Sequence, residues 1–183
     1  MSESQHRQPG DRDWREPLRV DGPAGPTVPA AHVVVGFDRH NASHIALDYA
    51  IGLAAALNAY LHVAHVIDTD DLPIDPDAAD WDRAIAEVVE RERAYACSML
   101  AALPGNWSYH AHRGNPAHLL GSIADANDAA MIVIGAPRHG LASLVERLLG
   151  ESVSAQLIHH GQRPVVLVPE HSPASALLSR PAR

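Results

Sequence analysis

Three glycines, Gly135, Gly140 and Gly150, punctuate the stretch "IGAPRHGLASLVERLLGESVSAQLI" (134–158), where an apolar strand end runs through a loop into a helix. Glycine lets successive backbone N–H groups turn inward, and the N-terminus of the following helix adds a positive dipole end, so such a loop suits a phosphate. Glu151, directly after Gly150, opposes that chemistry. A carboxylate a few ångströms from a polyphosphate costs on the order of 1 kcal/mol per charge pair even in a surface-like dielectric. Arg138, Arg147 or His139 could relieve the repulsion. Alternatively, Glu151 turns outward and serves as an acid at a helix start, with the glycines serving only as turn residues.

Other chemistry-bearing residues are less concentrated. Asp38, at the end of an apolar run, either contacts a ligand or caps the helix that follows. The 13 histidines invite a metal reading. His110 and His112 share one face of a strand, and His159 and His160 are adjacent on a helix, but neither pair has an acidic or cysteine companion at ligand spacing. His62 and His65, three apart in a strand, point to opposite faces. No metal site is expected. No Gly-x-Ser-x-Gly elbow occurs, and the acidic loop "DTDDLPIDPD" lacks the glycine and terminal glutamate of a calcium loop.

The 183 residues suffice for one ordinary domain, and the net charge of -8 with scattered basic residues predicts neither a nucleic-acid nor a membrane partner. All 14 basic residues are arginine, which excludes a lysine-dependent phosphate loop and Schiff-base chemistry. Cys97, the sole cysteine, falls in a helical apolar pattern and reads as packing. The absence of a long apolar run or a secretion-type leader gives the expectation of a cytoplasmic protein.

The elements that must position these residues alternate. Residues 1–30 are polar and rich in Arg, Gly and Pro, without periodicity, and read as a flexible extension, as do 170–183; the ordered domain is expected over 31–169. "HVVVGF" (32–37) predicts a strand buried on both faces. A helix then starts with Asn41 or Ser43 as cap, and Ile45, Tyr49, Leu53 and Leu57 form its apolar stripe with Ala46 and Ala50 beside them. "YLHVAHVI" (60–67) predicts a second strand, and a long helix follows over about 79–103, with a stripe of Trp81, Ile85, Val88, Val89, Ala96, Met99 and Leu100. "NWSYHAHR" (106–113), more polar, reads as a strand at a sheet edge. Asn115 and Pro116 open a third helix, "AMIVIG" (130–135) is the most apolar strand, and "RPVVLVP" follows a helix over about 152–160. This alternation implies a five-stranded, mostly parallel α/β sheet between helices, with ligands bound beyond the carboxyl ends of its strands where the strand order reverses.

The order of motifs resembles the universal stress protein family over about residues 32–168: "VVVGFD", "LHVAHVID", "HRGNPAHLL", "DAAMIVIGA" and "SVSAQLIHHGQRPVVLVP". The resemblance implies a Rossmann-like fold of the adenine nucleotide alpha hydrolase kind and a stress-response module binding ATP or AMP, with Mg alongside ATP. It implies that Asp38 contacts the adenosine and that the backbone of Val66 reads the adenine edge. Gly135, Gly140, Gly150, Ser152 and the adjoining Val153 would line the phosphates. The loop departs from the family spacing, having four residues, "APRH", between Gly135 and Gly140 instead of two, and Glu151 stands where the family has its last glycine. A regulatory dimer that no longer binds nucleotide is the alternative. Slow ATP hydrolysis needs a water activator and usually a metal, and the sequence offers no candidate for either. The resemblance also implies a homodimer paired through the strand 164–169.

Overall fold

The computed structural model describes residues 13–67, 79–136 and 153–170. Among the described residues, six strands and four helices follow one another as β1 (Leu18–Asp21), β2 (Ala31–Phe37), α1 (Asn41–Leu57), β3 (Ala59–Ile67), α2 (Trp81–Leu100), β4 (Trp107–Arg113), α3 (Pro116–Ala126), β5 (Met131–Gly135), α4 (Val153–His160) and β6 (Val165–Val168). The sheet order is β1-β4-β3-β2-β5-β6. All neighbours are parallel except β1, which runs antiparallel to β4. The predicted α/β sheet is present, with one strand more than the five expected.

Both faces of the sheet are covered. Val33, Val35 and Phe37 of β2 join a core with α1 and α2, while Val34 joins the opposite core with α3 and α4. A strand of β-branched residues with no polar face needs such double cover. On α1 the buried apolar side chains are Ala46, Leu47, Ala50, Ile51 and Ala54, and Leu57 is exposed. The seam therefore lies about one position round from the expected stripe, because small alanines let the helix sit close to the sheet while Ile45, Tyr49 and Leu53 pack only at its margin.

Two expectations are corrected. The segment 1–30, read as lacking periodic structure, contains β1, and β4 is consequently interior and not an edge. Residues 22–30 run under the amino-terminal end of the sheet, tied by two asparagines with left-handed backbones, Asn58 (φ 49°) and Asn106 (φ 59°). Asn106 Oδ1 accepts from Gly25 N (3.0 Å) and its Nδ2 donates to Thr27 O (3.0 Å), while Asn58 Nδ2 donates to Val28 O (2.8 Å). Upstream, buried Trp14 meets Trp81 edge-on at 5.8 Å, with the Arg113 guanidinium 5.0 Å from its ring centroid.

Ser108, Tyr109 and His110 of β4 find side-chain hydrogen-bond partners within the sheet. His62 Nδ1 lies 2.9 Å from Ser108 Oγ, which lies 2.9 Å from His110 Nε2, and His62 Nε2 lies 3.0 Å from His32 Nδ1. On the other face His65 bridges Tyr109 Oη (2.5 Å) and Glu92 Oε2 (2.8 Å), so His62 and His65 do point to opposite faces. Burial pushes His62 down to about 3 and His110 to about 4, from an ordinary 6.5.

These shifts fix a sign. Between those depressed values and about 6.5 the unfolded chain binds more protons than the folded one, so stability is present above that window and falls as pH drops through it. Urea unfolding should show a loss on the order of 1 to 2 kcal/mol per ring between about pH 7.5 and pH 5. A midpoint unchanged over that range would contradict the burial of the two rings.

Candidate functional site

β2 is flanked by β3 on one side and β5 on the other, so the chain changes direction across the sheet at β2/β5. A crevice at the carboxyl ends of those strands is the ligand position in such a fold. The register brings three sequence-predicted residues there. Phe37 pairs with His65, which sets Asp38 and Val66 just past the last β2–β3 pair, and Gly135 closes β5 on the other flank. Pairing of β3 with β4 continues through Val66 and Ile67. The flank of β3 toward β2 thus outruns its partner at Val66, which suits backbone reading of a planar ring. Val153 opens α4, whereas Gly140, Gly150 and Ser152 lie outside the described residues.

Asp38 is exposed and its turn is held from beneath. Ser43, buried in the first turn of α1, accepts from Asp38 N (3.1 Å) and lies within hydrogen-bond distance of Asp38 O (2.8 Å) and His40 O (2.9 Å). The N-cap position of α1 belongs to His40 and no side chain caps it, so neither Asn41 nor Ser43 is the cap predicted from sequence. Asp38 Oδ1 accepts from His40 N (2.7 Å) and lies 3.3 Å from His40 Nδ1. Both contacts of the carboxylate use Oδ1, leaving Oδ2 without a partner among the described residues.

Gly135 has a reason of its own. A Cβ there would lie 2.6 Å from both C and O of Ala42 and 2.9 Å from Ser43 N. Its glycine identity is thus demanded by the closeness of β5 to α1, independently of any ligand. The same turn of α1 meets a second acid, since Asn41 Nδ2 donates to Glu170 Oε1 (3.1 Å). Two carboxylates therefore stand near the start of α1, where they favour the helix dipole and disfavour an added anion.

Ser43 and Glu170 were not read from sequence as site residues. The available signal for Ser43 was a small hydroxyl residue five positions after the strand-ending aspartate, within the helix start; for Glu170 there was none, because its partner is 129 residues away. No helix among the described residues is long and apolar enough to cross a membrane.

A family model described as the universal stress protein family matches residues 30–169. Among solved structures, a universal stress protein in complex with cAMP is 27% identical, with a TM-score of 0.57, covering 78% of this chain and 99% of its own. A protein of that family from Burkholderia pseudomallei is 25% identical, with a TM-score of 0.55 and coverage of 79% and 99%. A universal stress protein from Archaeoglobus fulgidus, 22% identical with a TM-score of 0.53 and coverage of 76% and 93%, shares the fold. No curated protein matches the chain. With its sheet order, its switch-point crevice and a family match that spans the whole parallel sheet, the chain belongs to the universal stress protein family.

Proposed function

We propose that this chain is a stress-response module that binds an adenine nucleotide, AMP or ATP, at the carboxyl ends of β2, β3 and β5. The observation that carries the reading is the convergence of Asp38, Val66 and Gly135 on that crevice, with Asp38 held outward by Ser43 and Oδ2 available. Asp38 would accept from ribose hydroxyls, and the backbone at Val66 would read the base edge. The solved relative in complex with cAMP supports an adenine ligand. The acids at the start of α1 direct the phosphate away from that helix and toward the N-terminus of α4, where Val153 begins. ATP, if it is the ligand, would bring Mg to its phosphates.

A regulatory protein that has lost nucleotide affinity is the second reading. Two observations favour it: Gly135 is a packing glycine, and Glu151 replaces a phosphate-facing glycine in the sequence. In either reading a second copy of the chain would pair along β6, which ends the sheet opposite β1.

Calorimetry with AMP, ATP and cAMP separates the readings. Under the first, the parent binds with micromolar affinity and Asp38→Ala weakens binding by roughly tenfold to a hundredfold, as expected for a hydrogen bond to a charged group. No heat from the parent together with binding by Glu151→Gly establishes the second reading and names the carboxylate as the block.

A further inference from the structure

We propose that β1 is an acid-released edge strand, held on the sheet while His110 is neutral and freed when that ring takes a proton. β1 pairs with β4 over four residues only, and the register sets Arg19 directly across from His110, with Asp21 across from Ser108. Arg19 donates to Asp21 Oδ1 from Nε (2.9 Å) and Nη2 (2.8 Å), so the strand presents a closed ion pair beside the histidine chain. The charged and titratable groups facing the chain are Arg19 and Asp21 of β1, His32 of β2, and His112 of β4. Tyr60 of β3 stacks on His62. From α3 the residues on this face are apolar: Leu119, Leu120, Ile123 and Ala124.

The chain His32, His62, Ser108, His110 can be satisfied in two directions by neutral rings, each supplying one N–H and one lone pair. One added proton, on His110, can be accommodated in one direction only, so what that charge works against is the facing Arg19 and the exclusion of water. Two cannot, because both His62 and His110 would then point N–H groups at Ser108 Oγ and leave its hydroxyl hydrogen without an acceptor in the chain. A charge on His110 also sits opposite the Arg19 guanidinium while competing for Asp21, the group that neutralises Arg19. Detaching β1 removes the facing cation and admits water to the ring, so the open form binds the proton more readily.

The burial that pushes His110 down to about 4 belongs to the closed form only. Released to ordinary solvation, the ring takes a proton near 6.5, so opening of β1 becomes roughly tenfold to thirtyfold more frequent at about pH 5 than at about pH 7.5. The consequence is a sheet whose β4 edge becomes available as the medium acidifies, separately from any event at the nucleotide crevice.

Hydrogen exchange of the full chain, corrected for the intrinsic pH dependence of exchange, tests this. Protection in residues 18–22 should fall by roughly tenfold or more over that range, and exchange there should respond less to low urea than exchange in β5, as a local opening requires. His110→Gln keeps an acceptor for Ser108 but cannot charge, and should reduce the pH effect on residues 18–22 to under about threefold. The parent's histidine-ring 15N signals give an independent readout, in which His110 gains its proton only as residues 18–22 lose protection. The proposal is overturned if residues 18–22 lose protection only in step with β5 and with the same urea response. It is equally overturned if His110→Gln keeps the full pH effect, or if His110 titrates near 6.5 with β1 still protected.

Discussion

Gly135→Val should lower the stability of the folded chain by about 3 kcal/mol, the upper range for overpacking a filled site. The first atom of the new side chain would already lie 2.6 Å from the Ala42 carbonyl carbon and oxygen, and those are helix backbone atoms that cannot rotate away. β5 must then separate from α1, which strains the turn that Ser43 ties to Asp38. Gly121 on α3 provides the contrast: a Cβ there meets nothing within 4 Å, and Gly121→Ala should leave stability unchanged or raise it by up to about 1 kcal/mol through helix propensity. Urea unfolding of both variants measures the difference. Equal midpoints for Gly135→Val and the parent would mean that β5 and α1 are not packed as described.

Deleting residues 1–22 should cost about 3 kcal/mol or more, on the scale of removing one buried tryptophan. Trp14 leaves its site between Trp81 and Arg113, Leu18 and Val20 leave the core they pack against, and β4 loses its antiparallel partner. Some of the loss is offset by the conformational entropy of residues no longer ordered. The deletion leaves residues 23–30, with the asparagine ties beneath the sheet, in place. A truncated chain with the parent's urea midpoint would show that the arm contributes no net stability.

The contrast between these two regions shows what could be read from sequence. β2 and β5 announce themselves because their runs of β-branched residues are buried on both faces, a property intrinsic to each segment, and β3 follows them with a largely apolar stretch. β1 does not, since "LRVD" has only two apolar residues and becomes a strand through a partner some 90 residues away (Leu18 pairs with Ala111). The polarity of β4 reads as exposure for a related reason. Ser108 hydrogen-bonds His62 across the sheet and His110 along its own strand, and single-strand polarity cannot reveal a partner. The order of elements and the position of Asp38, Val66 and Gly135 were legible. What sequence could not supply was the cause of each: Gly135 reads equally well as a phosphate-loop glycine and as the point where a strand abuts a helix, and only the 2.6 Å approach of Ala42 tells them apart. Likewise, whether Asp38 caps or contacts depends on which carboxylate oxygen is already engaged, a matter of rotamer and not of residue type.

The two sides of the sheet are unlike: β4 carries β1, whereas β6 stands last on the other side. A subunit offering strand edges on both sides can add neighbours without end and grow into a filament, but one with a single usable edge is consumed by its first pairing. The short N-terminal strand, four residues carrying Arg19 and Asp21, therefore puts a poor pairing edge in place of the seven-residue β4 and disfavours strand addition on that side.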